Sequence, residues 1–544
     1  MVQVQQRVLA AAVAALLVGA PAAVAVRFYP DDPLEKMPPP VNVPAAKARK
    51  LSDYYDFFNN TFREMGERQS EGRSIRAENV NTVGEVADDV WYTNRHAKRR
   101  MSIEELKRGP GDGNAPSMEK PWKLVSAKAE GITPGFTMED GEGRRYVIKG
   151  DPLSNPEMAS AAEVISTKFF HALGYNVPEN YVVHFTRAQL TIDPEAIFYD
   201  KRGQKRNIVN NDVDEILWAF PKDREGRYRA LASLFIPGTL LGPFRYHGTR
   251  SDDPNDVIPH EHRRELRGLF AFAAWLNHSD SKALNSMDTL VEENGIQFIR
   301  HYLIDFGATL GSDSFAPKSP RSGNVYLFGW KQAAEQLFTL GLKVPAYARV
   351  NWHDIPSVGR FSADHFEPQE WRPNYPNPAF SNRLPDDLYW AAKKVMAFTD
   401  DEIRAIVTGG QYSDPAAAKY VADVLIERRN KVGRAFLDGV LPLEEFQVRE
   451  GRLEFRDLAA HYGFRAARPH RVRWALLDNE TNEVSAIPGG EGDVAPRAVT
   501  MLPEGRYVVA AIDAIAASEA GKTVSVYFRK QGGGYRVVGV DRTW

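Results

Sequence analysis

Between Trp275 and Leu290 the chain reads WLNHSDSKALNSMDTL, which sets His278, Asp280, Lys282 and Asn285 in one short run. Further on comes Leu303-Ile304-Asp305-Phe306-Gly307, and well upstream Tyr146-Val147-Ile148-Lys149. A helix after that lysine carries Glu157 and Glu163. Phosphoryl transfer from ATP needs side chains of these types. A lysine holds the phosphates and a helical carboxylate fixes the lysine. One Asp orients the attacking hydroxyl, while an Asn and a second Asp hold the metal. The transition state is anionic, so cations must stand close by, and the metal needs hard oxygen ligands.

Those residues require particular elements to position them. LVSAKAEGITPGFTMEDGEGRRYVIKGDP predicts strand, glycine-bearing turn, strand, Gly-Glu-Gly turn, strand. NPEMASAAEVISTKFFHALGY predicts a helix with Ala162, Ile165, Phe169, Phe170 and Leu173 on one side. NYVVHF is a strand, and RYRALASLFIPGTL is one long strand ending in a turn. Residues 122–245 thus make a sheet with one inserted helix. From Pro259 the pattern is mostly helical. EHRRELRGLFAFAAWLNH buries Leu266, Leu269, Phe270, Ala273 and Leu276, and SMDTLVEENGIQFIRHYLIDFG is a β-hairpin with a Glu-Asn-Gly turn. Residues 246–440 form this helical part, with 351–384 a long structured loop. After Leu441, HRVRWALLD, RAVTMLP, RYVVAAIDA, KTVSVYFRK and YRVVGVD predict a small β-sandwich-like domain over 441–544.

Totals bound the reading. A chain of 544 residues is too long for one ordinary core, and 43% hydrophobic with 26% charged residues is the composition of a folded protein. With 69 basic and 71 acidic side chains, no broad basic footprint points to nucleic acid. Residues 1–25, MVQVQQRVLAAAVAALLVGAPAAVA, have the n-region, apolar run and small-x-small end of a signal peptide. No other stretch could span a bilayer, so no membrane span is expected after signal removal. The chain has no cysteine, which rules out disulfides and Cys-ligated metals. An exported protein, periplasmic or extracellular and of bacterial type, is the expectation. Residues 26–121, with a proline-rich start, read as a linker and packing extension without chemistry. Ser102-Ile103-Glu104-Glu105 in it is a candidate capping box.

The motif set resembles the protein-kinase superfamily. Val147-Ile148-Lys149 matches the third-strand V-A-I-K. HSDSKALN at 278–285 matches H-R-D-L-K-x-x-N at His, Asp, Lys and Asn, and 304–307 matches D-F-G. The resemblance covers about residues 122–440 and implies an α+β, bilobal fold: a β-rich N-lobe over 122–245 and a mainly helical C-lobe over 246–440. It further implies that Lys149 contacts the α and β phosphates of ATP with Glu163 as its partner. Asp280 would align the acceptor hydroxyl, Lys282 would neutralise the γ-phosphate, and Asn285 and Asp305 would hold Mg²⁺ or Mn²⁺. His278 would brace the loop. The departures are specific. The glycine turn is EGITPGFTM, with only Gly131 and Gly135 available. Ser279 replaces the arginine of H-R-D, no A-P-E follows, and the stretch from Asn285 to Asp305 is long. These features are similar to atypical branches: HipA-type, spore-coat CotH and secretory-pathway kinases.

Other clusters read as structural. SDDPNDVIPHEH (251–262), with Asp252, Asp253, Asp256, His260, Glu261 and His262, reads as a solvated turn before a helix. Trp352, Trp371, Tyr375, Tyr389 and Trp390 read as a packed loop rather than a glycan groove. Glu157, in the first helical turn, reads as a helix-dipole residue. There is no G-x-S-x-G, no H-E-x-x-H and no Cys nucleophile to support a hydrolase. The sequence therefore points to an exported metal-dependent phosphotransferase acting on a hydroxyl of a protein, peptide or glycan. Nucleotidyl transfer would use the same groups. The alternative is a catalytically inactive kinase-fold binding protein of the cell envelope.

Overall fold

The computed structural model describes residues 27–63, 74–128, 135–199, 204–328 and 345–544. The leader and Gly131 lie outside these residues. The chain has a mixed α+β architecture with several sheets.

Among the described residues, two helices precede the first sheet, α1 (Asp53–Phe62) and α2 (Ile103–Arg108). Ser102 caps α2: its hydroxyl accepts from Glu105 N at 3.1 Å, and the Glu105 carboxylate accepts from Ser102 N at 2.8 Å. Then come β1 (Trp122–Lys128), β2 (Gly135–Glu139), β3 (Arg145–Gly150), α3 (Met158–Leu173), β4 (Asn180–Phe185), β5 (Leu190–Tyr199), β6 (Lys205–Asn207), α4 (Asn210–Trp218) and β7 (Tyr228–Leu234). The sheet order is β4-β7-β3-β2-β1-β5-β6, with β1 and β5 parallel. The turn into β3 forms because the Asp140 carboxylate accepts from Glu142 N and Arg144 N, while Gly143 takes φ +81°. Along β3, Tyr146, Ile148 and Gly150 are buried on one face, which leaves Lys149 on the other.

Helix α3 is buried nearly all round because it serves two cores. Val164 packs with Val182 and Leu231 of the sheet. Ile165, Phe169 and Phe170, the face expected from the sequence, join the helical core. Phe169 meets Trp275 at 4.8 Å between ring centroids.

The segment RYRALASLFIPGTL is not one strand. It splits into β7 and β8 (Thr239–Gly242), which belong to different sheets. The break falls at Pro237-Gly238. Gly238 has φ +90°, and a Cβ there would lie 2.4 Å from the Leu290 carbonyl oxygen. Strand β8 pairs with β9 (Ser286–Glu293), which pairs with β10 (Ile296–Leu303). The β9–β10 turn has positive φ at both Asn294 and Gly295, as an Asn-Gly hairpin requires.

Before that hairpin runs α5 (Arg264–Leu276), buried along its whole length. After it come α6 (Pro385–Met396), α7 (Asp400–Val407) and α8 (Pro415–Phe436). Arg428 of α8 donates to the Trp275 carbonyl at 2.8 Å, and the Trp275 indole donates to the Leu425 carbonyl at 2.9 Å. These two bonds fix the end of α5, just ahead of the 278–285 loop.

The hairpin β11 (Leu443–Arg449) and β12 (Arg452–Asp457) precedes a five-stranded antiparallel sheet. Its strands are β13 (His470–Asp478), β14 (Glu483–Glu491), β15 (Tyr507–Ala514), β16 (Thr523–Gln531) and β17 (Gly534–Arg542). Leu443, Phe446, Leu453, Trp474, Val508 and Phe528 give hairpin and sheet one shared core. RAVTMLP is no strand: residues 497–500 make one helical turn after Pro496, with Val499 buried. The strand beside β13 comes from 483–491 instead.

The extension ties these parts together. Phe28 packs on Tyr507 and Tyr527, Thr82 donates to the Val538 carbonyl, and Tyr92 donates to the Leu173 carbonyl. Among the described residues no helix is long and apolar enough to cross a membrane.

Candidate active site

Lys149 points off β3 into a cleft of about 610 Å³. The same cleft is lined by Glu163 of α3, by Asp280, Lys282 and Asn285 after α5, and by Asp305 after β10. Residues far apart in sequence thus face one cavity. Gly135 also lines it, opposite Lys149 in the β2–β3 register. A Cβ on Gly135 would come within 2.3 Å of the Ile148 carbonyl oxygen, so only glycine lets β2 lie so close. Ala127, Phe136, Ile148 and Leu231 add apolar wall.

The Lys149 ammonium donates to Asp305 Oδ1 at 2.8 Å and stands 4.0 Å from Glu163 Oε2. Glu163 is buried. Its other oxygen accepts from Phe306 N at 2.9 Å and from Asn180 Nδ2 at 3.3 Å. Burial pushes the Glu163 carboxyl up against the pull of Lys149. The neighbouring Lys149 cation instead holds Asp305 below the usual carboxylate range. Asp305 has φ +62°, a costly conformation for a non-glycine residue. The turn is pinned behind it: Phe306 stacks on Phe170 at 4.7 Å and lies 5.7 Å from the His278 ring. Of Glu157 and Glu163, Glu163 is the one beside the lysine. Glu157 sits ahead of the helix at φ +71°, and its carboxylate accepts from Ser413 N.

Across the cleft, both Asp280 carboxylate oxygens are held. Asn285 Nδ2 donates to Oδ2 at 2.9 Å and to the Asp280 carbonyl at 2.8 Å. Asn374 Nδ2 donates to Oδ1 at 3.0 Å. Lys282 Nζ lies 3.4 Å from that same Oδ1. His278 is fully enclosed, and burial pushes its imidazole down to about 4, so it is neutral at pH 7. The ring packs against Phe170 and Phe306.

Three residues at this site carry no signal in the sequence. Asn374 comes from the 351–384 loop, and no spacing links it to Asp280. Its backbone N–H also donates to the Ser279 carbonyl at 2.7 Å. Lys318, fully buried, donates to Ser279 Oγ at 2.5 Å. Asp53 of α1 stands 3.3 Å from Lys282, so the extension read as free of chemistry does reach the site. Asp56, one turn on, accepts from the Tyr375 hydroxyl at 2.8 Å and seats the helix.

The 251–262 cluster is not a solvated turn. Asp253, Asp256 and His260 are all buried. Asp256 accepts from Arg250 N and pairs with His260 Nε2 at 2.8 Å. The Arg250 backbone N–H holds Asp256 while its guanidinium pairs with Asp252 and Asp288, which spacing alone does not reveal. Trp371 and Tyr375 are packed within the loop, Tyr389 and Trp390 are buried on α6 instead, and Trp352 is partly buried.

No family model matches the chain. No curated protein matches it either. Among solved structures, the crystal structure of the Golgi casein kinase aligns with 74% of this chain and 96% of that chain, at 10% identity and a TM-score of 0.29. A likeness of that size carries no argument, so the weight falls on the cleft itself.

Proposed function

We propose that this protein is an exported, metal-dependent phosphotransferase with a bilobal kinase-like fold, moving the γ-phosphate of ATP to a hydroxyl acceptor. One observation carries the reading. The Lys149–Glu163–Asp305 cluster and the Asp280–Lys282–Asn285 loop face each other across one cleft with an apolar wall. In this reading the seven-stranded sheet with α3 is the N-lobe and the helices from α5 onward are the C-lobe. The β11–β17 region is an appended domain.

The donor set fits a hard divalent cation. Asp305 offers a half-exposed carboxylate, and Asn285, which donates through Nδ2, keeps its amide oxygen as a ligand. Among the described residues no group of three or more His, Cys, Asp or Glu could hold a metal alone. Mg²⁺ needs no such group where one or two protein oxygens act with substrate phosphates. When bound, the cation would neutralise charge on the phosphates.

The side chains divide the remaining work. Lys149, steadied by Glu163, would hold the α and β phosphates in line. The apolar wall would take the base. Asp280 has its carboxylate fixed by Asn285 and Asn374, so it would orient the acceptor hydroxyl and accept its proton. Lys282 would offset charge on the transferring group. The acceptor is a protein, peptide or glycan hydroxyl outside the cytoplasm.

Thermal unfolding with ATP, alone and with Mg²⁺ or Mn²⁺, tests the reading beside Asp305→Ala. A metal-dependent rise lost in the variant supports it. No rise at millimolar ATP and metal would leave an inactive binding scaffold in its place.

A further inference from the structure

Ser279 stands where the kinase-like H-R-D pattern has its arginine, and it is fully buried. The chain answers this from the segment after Asp305. Leu310 N donates to the Leu276 carbonyl, and Gly311, at φ +77°, packs against the backbone of Arg360 and Phe361. Asp313 N donates to the Ala316 carbonyl, and Lys318 N returns to the Gly311 carbonyl at 2.8 Å. This closed loop carries the Lys318 side chain under the catalytic run, where its ammonium meets Ser279 Oγ.

That ammonium is an expensive thing to bury. It is 1% exposed, its hydrogen-bond partner is a neutral hydroxyl, and Asp313 stands 4.0 Å away with its side chain 43% exposed. Burial pushes its pKa down, while Asp313 and Asp280 pull it back up. A buried charge with poor pairing costs stability that an apolar side chain of similar length would not. The charge therefore does little for the fold. What it can act on is the loop: Ser279 is bonded to Asp280, whose carboxylate Asn285 and Asn374 hold from the other side.

We propose that Lys318 is a positioning residue of the transfer site, setting the Ser279–Asn285 loop through the Ser279 hydroxyl. This rests on the phosphotransferase reading above. Lys318 does not line the cleft; it acts through Ser279 on the placement of Asp280.

The test compares wild-type protein, Lys318→Met, Ser279→Ala and the double variant, all full-length. It reads kcat and KM for transfer of the labelled γ-phosphate of Mg²⁺-ATP to the protein itself or to water, together with melting temperature and deuterium uptake over 277–285. Lys318→Met is expected to keep or raise the melting temperature and to leave KM within about threefold. Its kcat should fall about 10²-fold, the scale of a misplaced reacting group. Deuterium uptake over 277–285 should rise. The double variant should be no worse than Lys318→Met alone, because both remove one contact. Wild-type kcat in Lys318→Met overturns the proposal and leaves the phosphotransferase reading standing. So does a kcat loss that comes with a lower melting temperature and a raised KM, which would mark a merely structural lysine. A wild-type protein that neither transfers phosphate nor gains stability from ATP and metal overturns both.

Discussion

Two regions of this protein use the same side-chain types to different ends. Under Trp91, Arg250 meets Asp288 at 3.0 Å, Asp288 pairs with His301 at 2.7 Å, and Asp256 pairs with His260 at 2.8 Å. The His301 ring stacks on Trp91 at 3.4 Å. All five charged or titratable groups are buried, and none lines the large cleft. In the cleft, Lys149 and Asp305 keep 33% and 48% of their side chains exposed, and Asp280 stands at the wall. The comparison teaches that residue type does not mark a site. What separates the two is access: a paired, enclosed network locks the fold, whereas groups facing a cavity keep lone pairs for a ligand.

Substitutions can break that comparison. The largest effect is expected at Asp280→Ala, which should cut transfer by about 10³-fold while nucleotide affinity stays near wild type. Single-turnover kinetics beside a nucleotide titration checks it. Next, Arg250→Ala should cost ~3 kcal/mol in urea unfolding, because the buried Asp288 loses its guanidinium partner and keeps only the His301 ring. Its transfer rate per folded molecule should be unchanged. A transfer defect there would join the network to the site and end the contrast. Third, Lys149→Met should weaken ATP binding by about 2 kcal/mol, measured by calorimetry, with little change in unfolding free energy.

A last effect, the smallest per pH unit, concerns acid stability. The unfolded His278 takes up its proton near pH ~6.5, whereas the folded one waits until about 4. The unfolded state therefore binds more protons in that window, and stability falls as pH drops from ~6.5 towards 4. His171, pushed down to about 3 by burial, adds to the slope. His278→Gln should lower the slope by up to ~1.4 kcal/mol per pH unit, read from urea midpoints across that range.

Much of the cleft was legible because its chemistry is local in sequence. Asp280, Lys282 and Asn285 lie in one loop, and an Asn-Gly turn announces the hairpin that ends near Asp305. The third-strand lysine and its helical glutamate followed from the resemblance of Val147-Ile148-Lys149 to the third-strand motif. Asn374, Lys318 and Asp53 were not legible, since each reaches the loop from an element whose own pattern says nothing of its destination. The 251–262 cluster misled for a related reason. Charged residues in a Pro- and Asp-rich run look solvated until Arg250 and Trp91 are seen to enclose them.

The sequence by itself determined the strand that carries Lys149, the capping box at Ser102, and the order of the cleft residues. These depend on short-range geometry and hydrophobic period, which the chain carries wherever it goes. Only the tertiary structure decided where RYRALASLFIPGTL breaks, that 483–491 rather than 497–500 supplies a strand, and which buried cation stands behind Ser279. Each depends on what another part of the chain brings alongside. The Leu290 carbonyl leaves no room for a Cβ at 238, the partner strand β13 needs an edge, and a loop closed on Gly311 delivers Lys318. Contacts of that kind are settled by packing between distant segments, which no local pattern encodes.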